Sequence, residues 1–118
     1  MMENVAITSI KMPGGAWVPC CRVRGFWGRL RGLLGTPSHG DDGSKGRVLL
    51  LDRCCSIHTF GMAYPIDVAF LDGRGAVVAV RRAMEVGRIF SCVKASCVLE
   101  REASADGWFE IGDAPLFR

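Results

Sequence analysis

A chain of 118 residues, 49% hydrophobic and 23% charged, has the size and balance of one globular domain that buries a single core. Its apolar runs are far shorter than the ~20 residues of a membrane helix: even Arg47–Arg53 encloses only Val48 to Leu51, so a spanning helix is excluded. The formal net charge is +3, with five basic residues against Glu3 in residues 1–35 and ten against eleven beyond. This modest excess comes with no aromatic-interleaved RNA motif and no helix-turn-helix pattern, so no nucleic acid partner is expected.

In chain order, Met1 to Met12 carries Glu3, alternating polar positions and no small-residue cleavage pattern, unlike a signal peptide. A cytoplasmic location, with no membrane partner, is the expectation. Residues 5–12 read as a first strand and Trp17–Val23 as a second, which Pro19 should confine to a sheet edge or to its beginning. From Gly25 the period changes. Phe26, Leu30, Leu33 and Leu34 form one helical stripe, with Arg29 and Arg31 turned away and Gly35 and Pro37 as the stop. Together with Arg22 and Arg24 these arginines read as a solvated face. His39–Gly46 is a polar, glycine-rich loop.

Arg47–Asp52 reads as a strand buried on both faces, because four consecutive aliphatic residues leave no polar side. Cys54–Gly61 reads as an irregular or extended segment. Next, Ile66, Val68 and Phe70 alternate with Asp67, Ala69 and Leu71. Asp72-Gly73 marks a hairpin turn, and valine-rich Ala76–Val80 returns as the antiparallel partner. A further strand is expected over Ala95–Leu99, a turn or helical stub at Ser104–Gly107, a tight turn at Gly112-Asp113, and a short last strand over Ala114–Phe117. The prediction is a single domain, 1–118, mainly β: a small antiparallel β barrel or sandwich with one or two short helices. The alternative is an open α+β sheet.

Ile57-His58-Thr59-Phe60-Gly61-Met62, followed by Pro65-Ile66-Asp67 and Phe70-Leu71-Asp72, resembles the signature of domain of unknown function family 192, also called uncharacterised protein family 0127. Arg29–Gly35 upstream, and Val98-Leu99-Glu100 with Ile111-Gly112-Asp113 downstream, extend the resemblance over about residues 20–118. It implies a small β-rich domain of bacteria and archaea with no established activity. It also implies that His58 occupies a point where other branches place tryptophan, which argues against an obligatory proton shuttle there.

Six cysteines occur, as Cys20-Cys21, Cys54-Cys55, Cys92 and Cys97, and none forms Cys-x-x-Cys. They read as compact buried hydrophobes. A zinc site combining Cys54 or Cys55, His58 and a distant cysteine matches no standard knuckle or ribbon. Neither a metal nor another cofactor is expected.

Asp67, alternating with Ala69 and Leu71, must be paired if its face is covered, and an arginine or turn N–H groups are the expected partners. Asp72 and Asp113 read as turn caps. The leading functional reading is a non-enzymatic domain that binds an unidentified small molecule or protein partner through His58, Thr59, Phe60, Met62, Tyr64 and Asp67. The rival is a hydrolase-like or metal-dependent enzyme using Cys55, His58 and Asp67.

Overall fold

The structure is a computed structural model that describes residues 5–23 and 47–118. The helix expected around Phe26–Leu34 and the loop at His39–Gly46 lie outside them, as do Arg24, Arg29 and Arg31. Among the described residues the chain is strand and turn, without helix: β1 (Val5–Lys11), β2 (Trp17–Val23), β3 (Val48–Asp52), β4 (Ser56–His58), β5 (Ile66–Leu71), β6 (Val77–Met84), β7 (Ile89–Ser91) and β8 (Cys97–Glu102). The chain is mainly β, as the sequence predicts.

Six strands form one sheet in the order β1-β2-β3-β8-β5-β6, and β4 with β7 forms a second, two-stranded sheet. Every neighbouring pair is antiparallel except β2 and β3, which run parallel in register Cys20↔Val48. The large sheet is therefore mixed, where an antiparallel one was expected. Turn chemistry and alternation carry no sign of this, because a parallel pair is joined by a long crossover and not by a hairpin.

Pro19 sits within β2 opposite Ser9. The N–H and C=O of Ser9 pair away from β2, with the carbonyl and N–H of Arg118 at 2.8 and 3.0 Å. Ser9↔Pro19 is thus a non-hydrogen-bonded pair, and the side on which proline lacks a donor faces the flank where β3 joins only from Cys20 onward. The proline occupies a local edge inside an internal strand.

Both faces of the sheet are covered, so all six residues of β5 are buried. On one face Leu49, Val68, Phe70 and Val98 pack with Ile57 of the small sheet and with Tyr64. On the other, Ile10, Val48, Leu71 and Leu99 pack with Trp108 and Phe109. The C-terminal segment then seals both edges of the large sheet. Gly112 N donates to Val77 O (2.9 Å) and Val77 N to Asp113 O (2.8 Å) at β6. At β1, Lys11 N donates to Leu116 O (2.9 Å) and the Thr8 hydroxyl to Arg118 O. This tail is where a last strand was expected, and it bridges β1 at Ile10↔Phe117. The arrangement manages exposed strand edges without closing a barrel.

Candidate functional site

The six residues expected to share a surface separate into three places. His58 and Phe60 stand on the outer side of the small sheet, their rings 5.7 Å apart. His58 lies across from Ile89 in the β4–β7 register. Phe60 is 51% exposed, Ile89 66% and Val86 45%, whereas Ile57 and Phe90 turn inward, the latter edge-on to Phe70 at 5.0 Å. The turn between β6 and β7 brings Gly87 (φ +86°) against the Phe60 ring. The result is an exposed surface of the His58 imidazole, the Phe60 phenyl and Ile89, with Val86 exposed in the adjoining turn. Arg88 extends beside it, paired with Glu85 at 3.2 Å, and Arg81 stacks on Phe90 at 3.9 Å.

Thr59, by contrast, is fully buried. Its hydroxyl donates to Glu85 O (2.6 Å) and accepts from Arg88 N (2.8 Å). Its backbone N–H donates to Arg88 O (2.9 Å), and its carbonyl accepts from Met62 N and Gly87 N, both at 3.2 Å. Thr59 therefore pins the 59–62 turn to the 85–88 turn and presents the patch from behind. Tyr64 is buried in the cluster between the two sheets, with Met62 partly buried against it.

Asp67 faces the other way. By strand alternation it shares the side of Ala69 and Leu71, in the layer of Trp108. It is 1% exposed, and four N–H groups converge on its carboxylate. Oδ1 accepts from Arg82 Nε (3.2 Å) and Ala83 N (2.8 Å), Oδ2 from Arg101 Nε (2.9 Å) and Ser104 N (3.3 Å). The arginines are held in turn: Arg82 Nη2 donates to Ser104 O and Asp106 O, Arg101 Nη2 donates to Asp106 O, and Arg101 stacks over Trp108 at 4.6 Å. Ala83 adopts φ 51°. Opposite it the β5–β6 register slips between Ile66 and Val68, so this carboxylate organises a β-bulge. Both kinds of partner expected for Asp67, arginine and backbone N–H, are present.

Cys55, His58 and Asp67 consequently do not assemble. Cys55 and His58 are exposed on the small sheet's side, while Asp67 is enclosed on the far side of β5. Burial pushes the Cys20 thiol up to about 12 and the Cys97 thiol up to about 11, which makes both poor nucleophiles. The Cys54 thiol donates to Ser56 O at 3.1 Å. Among the described residues no group of three His, Cys, Asp or Glu side chains is placed to hold a metal ion.

Asp72 caps its turn as expected, with Oδ1 accepting from Arg74 N (2.9 Å) and Ala76 N (3.0 Å), and these bonds hold its carboxyl below its ordinary value. Asp113 does likewise for Glu110 N at 2.8 Å.

The residue that motif reasoning passed over is Glu100. It lies in β8 between Leu49 of β3 and Val68 of β5, on the face covered by the small sheet. It is 6% exposed, and desolvation pushes its carboxyl up to about 7, with no hydrogen bond or opposite charge among the described residues to offset it. The signal was present in the alternation of β8: Val98, Glu100 and Glu102 share one side, Cys97, Leu99 and Arg101 the other.

No family model and no curated protein matches the chain. Among solved structures, it is similar to a protein of unknown function from Novosphingobium aromaticivorans DSM 12444, with TM-score 0.71 and 13% identity over 95% of this chain and 84% of that one. It is also similar to a candidate transcription regulator from Sinorhizobium meliloti 1021, with TM-score 0.67 and 14% identity over 96% and 95% of the two chains. These likenesses establish a shared fold.

Proposed function

We propose that this chain is a small β domain that binds a protein partner through the outer side of β4 and β7, and that it is a member of the unknown-function family its motifs resemble. The supporting observation is the exposure of Phe60 and Ile89, both above 50%, beside His58, with Val86 also exposed in the adjoining turn between β6 and β7. Solitary exposed apolar residues need no explanation, but a contiguous group presented by a dedicated hydrogen-bonded turn does. The surface is the flat side of a two-stranded sheet. Small-molecule sites are concave, so a protein face is the better occupant. Arg88 and Glu85, exposed and paired with each other, stand in the adjoining turn, so the complementary face is apolar at its centre and polar at its rim.

The test is cross-linking in the native cells followed by affinity isolation of the parent and of a Phe60→Ser/Ile89→Asp variant. The parent should recover one partner in fixed ratio, and the variant, with unchanged thermal unfolding, should lose it. A partner retained equally by both, or no stoichiometric partner of the parent, refutes the reading.

A further inference from the structure

Glu100 sits where a carboxylate is costly to ionise. It is central in the six-stranded sheet, between the apolar residues Leu49 and Val68, and 6% exposed. Among the described residues the small sheet lies over that face, and its strands β4 and β7 have three residues each, joined to one another at their ends through Thr59 N to Arg88 O and Cys92 N to Cys55 O. Short segments of this kind open at lower free energy than the sheet beneath them. We propose that Glu100 is a proton-operated latch under the β4–β7 cover: its neutral form lets the cover close, and its ionisation favours the state in which the cover is lifted and water reaches the carboxylate.

Among the described residues, the groups facing Glu100 leave the ionised form without stabilisation. On its own strand Glu102 shares its side, a like charge two residues away. From β3 and β5 it meets aliphatic residues. Cys21 of β2 lies beyond Leu49, and Arg81 of β6 lies beyond Val68 with its guanidinium engaged on Phe90. The cover and its approaches contribute Cys54, Tyr64 and Cys92, none of them a cation. The carboxyl, raised by burial to about 7 from an ordinary value near 4.5, therefore changes charge around neutrality. Because the folded-state value is the higher one, the penalty is absent below about 4.5, grows through the interval and is complete above about 7.

Amide hydrogen exchange of the full chain, corrected for intrinsic rates, tests the latch. Between pH 4.5 and 8 the protection of the Thr59 and Cys92 amides should fall about a hundredfold, staying below that of the Leu99 amide throughout, and should be flat in Glu100→Gln. Constant protection at Thr59 and Cys92 in the parent, the same fall in the variant, or protection equal to that of Leu99 would overturn the proposal. Side-chain carbon NMR of the parent needs no variant. A Glu100 carboxyl midpoint near 7 is expected, and an ordinary glutamate midpoint would overturn the latch as surely.

Discussion

Removing the charge of Asp67 is the sharpest test of how the sheet is held together. Asp67→Asn keeps the shape of the side chain but supplies one carbonyl oxygen and an NH2 group where two anionic oxygens receive four donors. The NH2 group must face either Arg82 Nε and Ala83 N or Arg101 Nε and Ser104 N, so two acceptor interactions are lost in either orientation. Arg101 is 6% exposed and loses its counter-charge, whereas the Arg82 side chain is 45% exposed and is screened by water. Breaking a buried pair on one side costs about 3–5 kcal/mol, and nearly all of it should arise at Arg101. Urea unfolding of the parent and variant at neutral pH measures this, with an unchanged m-value marking a folded-state effect. A double-mutant cycle with Arg101→Met assigns the share carried by the pair, and with Arg82→Met should return a coupling below about 1 kcal/mol. A loss under 1 kcal/mol for Asp67→Asn, or equal coupling to the two arginines, would refute the reasoning.

Further expectations rest on single observations. Thr59→Val strands Arg88 N without its acceptor and should cost about 1–3 kcal/mol in denaturant unfolding, whereas exposed His58→Trp should change stability by no more than about 0.5 kcal/mol. Ala83→Gly relieves a left-handed backbone at φ 51° and should raise the melting free energy by up to about 1 kcal/mol, provided Asp67 is intact. In native protein an alkylating reagent at pH 8 should modify exposed Cys55 first and leave Cys20 and Cys97 untouched, as peptide mapping would show. The parent should lose about 3 kcal/mol of stability relative to Glu100→Gln between pH 4.5 and 8, read from paired urea midpoints.

Much of this architecture is visible in the residues themselves. The β5–β6 hairpin follows from strict alternation on either side of Asp72-Gly73, and the burial of β3 follows from its unbroken aliphatic run. The sequence also places Asp67 on the side of Ala69 and Leu71, and predicts its arginine and N–H partners. It does not predict the bulge, because the signal for that is the carboxylate meeting Ala83 N across the pair, a tertiary event with no periodicity of its own. β4 and β7 are too short, at three residues each, to show a period against irregular chain. The six motif residues are close along the chain but sit on two sides of β5, since successive strand residues point to opposite faces and a local run cannot reveal which face each layer covers.

The two buried carboxylates differ in what the sheet supplies to them. Asp67 and Glu100 lie on adjacent strands, one residue out of register: Asp67 is opposite Arg101, and Val68 is opposite Glu100. Asp67 has four donors drawn from β6, β8 and the 104–106 loop, whereas Glu100 has none among the described residues. A cation is nevertheless present on the same side, since Arg81 lies one strand beyond Glu100's neighbour Val68 and is occupied with Phe90 of the cover. With that guanidinium on the ring, no opposite charge among the described residues meets the carboxyl, which is the arrangement the proposed latch requires.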